Sequence, residues 1–206
     1  MTATQCEYVS WNQFYSLCDK LHQRIVASGF HPDIIVAIAR GGYMPGRILS
    51  DFFGLLDLAS LKLEHYDHLH KTATAVIKYP LTADLTHKRV LLVDDVSDSG
   101  DTFAVALEHL RRHGEPAELY TAALHHKVVS SYEPDYYAQR IVKWRWITYP
   151  WAVVEDVNTF LSQAERWPAD AAEAASYLQR VHGLRLPQRV LHQVWPKLGS
   201  DNTNRN

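Results

Sequence analysis

The stretch Val90-Leu-Leu-Val-Asp-Asp-Val-Ser-Asp-Ser-Gly-Asp-Thr-Phe103 decides the fold of this chain. Its four leading apolar residues show no polar alternation, which predicts a strand buried on both faces of a sheet. The acids and small residues that follow lead into a helix that we expect to run through Leu110 and to end at His113-Gly114. Strand, loop and helix in this order predict an α/β fold with a mainly parallel sheet and helices on both faces, which binds ligands at the carboxyl ends of its strands.

The polar half of this stretch suits a phosphorylated sugar. Asp94 and Asp95 can accept hydrogen bonds from a vicinal diol or bind a divalent cation through water. Around Gly100, helix N-terminal amides and the hydroxyls of Ser99 and Thr102 can surround a phosphate. The alternative is a connection whose acids and hydroxyls only cap the helix. Four acids in eight residues repel one another unless cations or donors arrive, which favours a binding role.

The rest of the chain continues the same pattern. Ile34 to Ile38 is a second buried strand, and Ala39-Arg40-Gly41-Gly42 separates it from a helix over about Met44 to Phe53. Ser10 is a plausible N-cap for an amphipathic helix that ends at Gly29. Further strands are predicted over 58–63, 73–79 and 117–124, and helices over 169–181 and up to Trp195.

The domain boundaries are predicted from composition. One domain is predicted over residues 1–157, a helical C-terminal appendage over 158–198 and a disordered tail over 199–206. The charge of −2 gives no reason to expect nucleic acid or a membrane as a partner. Two cysteines and a start without a signal-peptide pattern favour the cytoplasm.

The stretch from Val90 to Phe103 resembles the donor motif of type I phosphoribosyltransferases. The resemblance implies that Asp94 and Asp95 contact the ribose hydroxyls of phosphoribosyl diphosphate, and that residues Asp98, Ser99, Gly100, Asp101 and Thr102 hold its 5-phosphate. It also implies that Asp98 lies near the purine N7, where it assists proton transfer as the catalytic residue. Purine-salvage members often have lysine or a neutral residue at the position of Asp101, so we expect this carboxylate to point away from the phosphate.

The loop Ala39-Arg40-Gly41-Gly42 has the form of the pyrophosphate loop in the same family. An arginine fork suits phosphate oxygens, and glycines allow backbone amides to approach an anion. On its own, this loop could equally be a solvated strand end. The resemblance implies a non-proline cis peptide at Ala39–Arg40, which would aim backbone amides at pyrophosphate.

The base-binding residues are predicted from weaker signals. A lysine donates to a base carbonyl and a tryptophan offers a stacking face, so we expect one of Trp144, Trp146 and Trp151 to contact the base and the others to pack in the core or at a subunit interface. The segment Trp146-Ile-Thr-Tyr-Pro-Trp151 is similar to that of bacterial xanthine-guanine phosphoribosyltransferases. The similarity implies that Trp146 stacks on the purine, the backbone of Ile147 reads the base edge and Lys127 contacts O6. Those enzymes have aspartate where this chain has Ala152, which leaves recognition of the purine 2-substituent open.

The resemblance also implies a Mg²⁺ cofactor and a mobile hood. Mg²⁺ would bridge the ribose and pyrophosphate oxygens near Asp94 and Asp95, mainly through water and substrate. The hood would comprise Tyr66 to about His87 and would exclude water from the reacting centre. A homodimer or higher homo-oligomer is expected. The twelve histidines have no spacing that predicts a transition-metal site.

The leading hypothesis is therefore Mg-dependent transfer of the 5-phosphoribosyl group from phosphoribosyl diphosphate to hypoxanthine, guanine or xanthine. This reaction would give a nucleoside monophosphate and pyrophosphate. Two alternatives stay open at this point. The acceptor could be another nucleobase, because the donor motif is shared across the family. The chain could also be a non-catalytic regulator that senses the donor, although the near-neutral charge argues against a nucleic-acid partner.

Overall fold

The computed structural model describes residues 4–66 and 74–199. The chain divides into two compact units. We call Tyr15–Trp144 the sheet unit, and the combination of Met1–Phe14 with Arg145–Asn206 the terminal unit. In chain order, the elements are β1 (Cys6–Tyr8), α1 (Trp11–Ala27), β2 (Ile34–Ala39), α2 (Tyr43–Phe52), β3 (Leu58–Tyr66), β4 (Thr74–Tyr79), β5 (Arg89–Ser97), α3 (Asp101–His113), β6 (Glu118–Lys127), β7 (Tyr136–Ile141), β8 (Trp146–Thr148), α4 (Val153–Leu161), α5 (Ala171–His182), α6 (Gln188–Val194) and a short 3-10 helix (Trp195–Lys197).

The sheet unit contains a six-stranded sheet with the order β4-β3-β2-β5-β6-β7. The pairings are parallel except that between β3 and β4. Every residue of β2 is buried, as its unbroken apolar run predicts. The predicted α/β class with a mainly parallel sheet is confirmed.

The positions of β2 and β5 locate the binding crevice. These strands are neighbours, and the chain leaves β2 toward β3 on one side but leaves β5 toward β6 on the other. Ligands of open α/β sheets bind at the carboxyl ends of strands at such a switch point. The loops after β2 and β5 are the two that the sequence singled out.

β5 is longer than its apolar run predicts. The strand was expected to end at Val93, but pairing with β6 continues through Val96↔His125 and Ser97↔His126. The polar residues remain in the strand because β6 extends to Lys127 and offers backbone partners along this length. Asp94 and Asp95 therefore lie on a regular strand, which fixes the direction of each backbone group better than a loop would.

One core of the sheet unit lies under α3. Phe103, Leu107 and Leu110 of this helix pack with alternate residues of the central strands, including Val36 and Leu92. The apolar spacing along α3 explains why this face is buried. The packing anchors the first turn of α3, directly after the polar half of the donor motif.

The terminal unit combines an N-terminal and a C-terminal segment of the chain. β1 pairs in parallel with β8, and α4, α5 and α6 enclose an apolar cluster that includes Cys6, Phe160 and Leu178. The Asp170 carboxylate caps α5 by accepting from the Glu173 amide, and the helix ends at Gly183 in the left-handed region. The helices predicted in this part of the chain are present.

Some of the predictions about organisation stay predictions. The proposed boundary after residue 157 falls inside α4, whereas the compact units divide between residues 144 and 145. The tail from residue 200 and hood residues 67–73 lie outside the described residues. The described part of the hood includes β4, paired antiparallel with β3. No helix within 4–66 and 74–199 is long and apolar enough to cross a membrane.

Candidate active site

The carboxyl end of β5 forms one wall of a cavity of about 210 Å³, lined by residues 94–100 together with Thr102 and Phe103. The loop after β2 lies against the same strand. A Cβ atom at Gly41 would lie 2.4 Å from Asp95 Oδ1, and one at Gly42 would lie 2.3 Å from the Val93 carbonyl oxygen. Only glycine allows this approach. The structure thus brings the predicted ribose and pyrophosphate residues together.

Asp94 is a buried acid beside a second acid. Its Oδ1 accepts a hydrogen bond of 2.9 Å from the Asp95 amide, and the side chain is 8% exposed. Burial, followed by the neighbouring Asp95 carboxylate, raises the pKa of Asp94 well above its ordinary value, although the Asp95 and Gly42 amides act in the opposite direction. This pair is suited to receive hydroxyl donors or a cation, either of which would favour the ionised form.

The predicted pyrophosphate loop has the expected backbone form. The Ala39–Arg40 peptide is cis, which confirms the prediction from the family resemblance. Arg40 is exposed at the end of β2, and the Gly42 amide donates to the Ile38 carbonyl. The assignment of these residues to pyrophosphate stays a prediction.

The predicted phosphate loop, residues 98–102, is contacted by a segment around Ser131 that the sequence reasoning missed. The amide and hydroxyl of Ser131 both donate to the Ser99 carbonyl oxygen, at 2.8 and 2.7 Å. Gly100 has φ +99, and a Cβ atom there would lie 2.6 Å from both Ser131 Oγ and the Tyr132 nitrogen. Nothing in the local sequence marks Ser131, because the contact joins residues that are 32 positions apart.

Asp101 is engaged within the loop itself. The Ser99 hydroxyl donates to Asp101 Oδ2 at 3.0 Å. Asp101 and the Ser99 hydroxyl, which are both predicted to bind phosphate, are therefore hydrogen-bonded to each other. The direction of the Asp101 carboxylate relative to a bound phosphate stays a prediction.

Three side chains meet where β5, β6 and β7 end. Lys127 Nζ donates to Asp98 Oδ2 at 2.6 Å, and Trp144 Nε1 donates to Asp98 Oδ1 at 2.9 Å. Lys127 Nζ also lies 4.4 Å from the centre of the Trp144 ring. Lys127 is 2% exposed, and a buried charge needs compensation. The Asp98 carboxylate and the face of the Trp144 ring supply it. The structure joins the predicted catalytic acid to the predicted base-binding lysine.

Trp146 and Ile147 lie on β8 in the terminal unit, so their predicted contacts with the base stay predictions. The nearby Asp156 is 7% exposed, and burial raises its pKa to about 6 despite the opposing effects of the Trp146 indole and the Thr148 hydroxyl. The Thr148 hydroxyl lies near this carboxyl, but Asp156 Oδ2 and Thr148 Oγ1 have no hydrogen-bond partner among the described residues. Trp151 stacks on Tyr149 at 4.7 Å, as expected for a packing residue.

The residues that could bind Mg²⁺ are Asp94 and Asp95. Their carboxylate oxygens are ligands that this ion prefers, and a bound cation would offset the repulsion between the two neighbouring carboxylates. Within the part of the chain that the structure describes, no group of three or more histidine, cysteine or acidic side chains could hold a metal. The donor set therefore fits an ion whose other ligands are water and substrate.

Comparisons with known proteins agree with this geometry. In Saccharomyces cerevisiae, the hypoxanthine-guanine phosphoribosyltransferase is 32% identical over 130 residues, 54% of this chain and 58% of the yeast protein. Xanthine phosphoribosyltransferase 1 of the same yeast is 26% identical over 207 residues, 80% of this chain and 99% of that protein. A solved purine phosphoribosyltransferase from Pyrococcus horikoshii is 34% identical, with a TM-score of 0.64 over 71% of this chain and 93% of the other. Because the phosphoribosyl transferase domain family matches residues 4–156, the chain belongs to that family.

Proposed function

We propose that this protein transfers the 5-phosphoribosyl group from phosphoribosyl diphosphate to N9 of a 6-oxopurine, namely hypoxanthine, guanine or xanthine. The products would be a nucleoside monophosphate and pyrophosphate. The observation that carries the choice of acceptor is the pairing of Lys127 with Asp98 at 2.6 Å. Family membership and the names of the two yeast relatives and the Pyrococcus enzyme support the same reaction class.

The pair presents a donor beside an acceptor, which matches one edge of a 6-oxopurine. The base carries the O6 acceptor next to the N7–H donor, so O6 would accept from Lys127 and N7–H would donate to Asp98. Lys127 has three N–H donors and the Asp98 carboxylate has several lone pairs, so neither contact requires the ion pair to break. Adenine has an amino group in place of O6, which would face the lysine donor. An aminopurine is therefore disfavoured.

Bond changes in the proposed reaction are simple. The bond from ribose C1 to N9 forms, and the bond from C1 to pyrophosphate breaks with its electron pair leaving on pyrophosphate. The N7 proton of the base moves to Asp98. Asp94 and Asp95 would orient the ribose through its hydroxyls, and residues 98–102 would fix the 5-phosphate at the N-terminus of α3.

The proposal includes Mg²⁺. The ion would lie near Asp94 and Asp95, and most of its ligands would be substrate and water. When bound, it would neutralise charge on the pyrophosphate leaving group. Arg40 and the amides of Gly41 and Gly42 would hold the other side of that group. Assay with and without a chelator tests the requirement for the metal.

The decisive test is a pyrophosphate-release assay with donor, Mg²⁺ and a panel of bases. Hypoxanthine, guanine and xanthine are expected to support turnover in some order, and adenine, uracil and orotate are not. If the donor binds but no base reacts, the protein is a donor sensor and the enzymatic proposal fails. The relative rates with guanine and xanthine also measure how the 2-substituent is read with alanine at position 152.

A double substitution tests the proposed position of the donor. Replacing Asp94 and Asp95 together by Asn should abolish binding of phosphoribosyl diphosphate, because both proposed acceptors lose their charge. Unchanged affinity in calorimetry would show that the ribose binds elsewhere. Replacement of the exposed Glu165 by Gln is the control, and its donor affinity should equal that of the wild type.

We also propose that the protein acts in the cytoplasm as a homodimer or a higher homo-oligomer. The low cysteine content supports a reducing compartment, and the prevalence of symmetric homo-oligomers among soluble oligomers supports self-association of this kind. Sedimentation analysis of the purified protein tests the state of association, and cell fractionation tests the location. A monomer at micromolar concentration would contradict the first part.

A further inference from the structure

Trp144 forms a cluster of three side chains with Asp98 and Lys127, which we call the Asp98 cluster. It follows the end of β7, at the same edge of the sheet as Asp98 and Lys127. Its indole N–H donates to one oxygen of the Asp98 carboxylate, while Lys127 donates to the other. The face of its ring lies against the lysine charge. Each of the three side chains therefore touches both of the others.

The exposed surface of Trp144 argues against a purely packing role. The side chain is 41% exposed, and tryptophans that fill a core are more deeply buried. The Lys127 ammonium already occupies a face of the ring, which makes that face a poor platform for a base. The indole contributes its N–H group, which donates to the Asp98 carboxylate.

The two hydrogen bonds together fix the plane of the carboxylate. The last torsion of an aspartate side chain is broad, so a carboxylate held by one donor can rotate. With Oδ2 on Lys127 and Oδ1 on Trp144, rotation would break at least one charge-assisted hydrogen bond. The lone pairs of the Asp98 carboxylate that accept no hydrogen bond then point in fixed directions.

We propose that Trp144 is a positioning residue that fixes the Asp98 carboxylate to receive the N7 proton of the incoming 6-oxopurine. This inference rests on the proposed function. Trp144 acts through Asp98 and makes no contact with the reacting atoms. Its contribution is restricted to bases that carry a hydrogen on N7, and it leaves the binding of phosphoribosyl diphosphate unchanged.

The test is Trp144→Phe, which keeps an aromatic ring on Lys127 and removes the N–H group. Two base analogues are compared as competitive inhibitors against hypoxanthine. 9-Deazahypoxanthine retains O6 and N7–H, whereas 7-deazahypoxanthine retains O6 but has carbon in place of N7. The inhibition constant of the 9-deaza analogue should weaken about tenfold in the variant, the size expected for loss of one hydrogen bond to a charged group. That of the 7-deaza analogue should change less than about twofold, and the KM for the donor should not change.

Two further variants sharpen the result. In an Asp98→Asn background, Trp144→Phe should cause little additional loss, because the group that it positions has lost its charge. Trp167→Phe makes the same exchange in the terminal unit, where the ring packs against the apolar cluster, and should leave both inhibition constants unchanged. Circular dichroism melting curves check that each variant is folded.

The outcomes separate the inference from the proposed function. Equal weakening of both analogues, or a rise in the KM for the donor, would show that Trp144 is merely structural and would overturn the inference while turnover by the wild type stands. Full additivity of the Trp144 and Asp98 substitutions would overturn it as well. If the wild type turns over no 6-oxopurine, the proposed function fails, and the inference fails with it.

Discussion

Asp94, a proposed ribose-binding residue, should make donor binding depend on pH. Its pKa is raised by burial and by Asp95, so the protonated form persists to a higher pH than in an ordinary aspartate, whose value is 3.8. If Asp94 accepts from the ribose hydroxyls as proposed, ionisation strengthens these hydrogen bonds, so donor affinity should rise with pH as Asp94 loses its proton and fall as the medium is acidified. Calorimetric titration with phosphoribosyl diphosphate across a pH series measures this dependence.

The control for this prediction is Asp95→Asn. Removal of the neighbouring charge lowers the pKa of Asp94, so the acidic loss of affinity should move to lower pH even if overall affinity falls. Titration of the donor itself is common to both proteins and cancels in the comparison. An unchanged profile would show that the two acids do not titrate together.

Gly100 and Gly54 form a matched pair for testing the phosphate loop. Both have positive φ, +99 and +65, but a Cβ atom at Gly54 meets nothing within 4 Å, whereas one at Gly100 meets Ser131 and the Tyr132 backbone. Gly54→Ala should therefore destabilise the protein by only about 1 kcal/mol. Gly100→Ala should cost more and also weaken donor binding, since Ser131 must release the Ser99 carbonyl. Urea unfolding and calorimetry distinguish the two effects.

At the level of single elements, the sequence predicts local features better than the contacts between them. The apolar runs predict β2 and β5, and the family resemblance predicts the cis peptide at Ala39–Arg40. The full length of β5 depends on backbone pairing with β6, and the contact of Trp144 with Asp98 depends on where β7 ends. Such information lies in the register of distant strands. The rule that parallel strands present their carboxyl ends at one edge could have indicated Trp144, since it follows β7 closely.

Helix α4 carries an acid that should make stability depend on pH. Asp156 is buried, one oxygen lacks a hydrogen-bond partner among the described residues, and its pKa is raised to about 6 from 3.8. The folded state thus binds the proton more tightly than the unfolded state. This contribution to stability is fully present below pH 3.8 and is lost as the pH rises through about 6.

Asp156→Asn should consequently stabilise the protein at about pH 8, by about 2–3 kcal/mol for a shift of this size, and should do little below about pH 4. The uncharged amide avoids the burial of an ionised group and can donate to the Thr148 hydroxyl, which has no partner in the described residues. Urea unfolding at the two pH values measures the difference. Equal stabilisation at both values would contradict the assignment of the raised pKa to this residue. Glu165→Gln changes an exposed acid and should show no such dependence.

Across the whole molecule, the predicted base-binding residues are divided between the two units, whereas the predicted donor-binding residues belong to one. The donor residues, 39–42 and 94–102, belong to the sheet unit, and so does Lys127, while Trp146 and Ile147 belong to the terminal unit. The terminal unit depends on both chain ends, because β1 pairs with β8 and the Thr4 carbonyl contacts His182 Nδ1 at 3.0 Å. Its apolar cluster includes helix residues between 158 and 199 together with Cys6 of β1, and Cys6 is the residue that pairs with Trp146 of β8.

Leu178→Ala tests whether an intact terminal unit is needed for base turnover but not for donor binding. Leu178 is 1% exposed in the cluster, so its truncation should cost about 3 kcal/mol. If β8 needs the cluster and the base needs β8, pyrophosphate release should decline at a lower temperature than in the wild type, while calorimetric affinity for the donor at about 25 °C stays constant. Leu56→Ala is the control, because Leu56 is 98% exposed and its loss should change neither quantity. A parallel fall of donor affinity and base turnover in Leu178→Ala would show instead that the sheet unit cannot hold its donor site without an intact terminal unit.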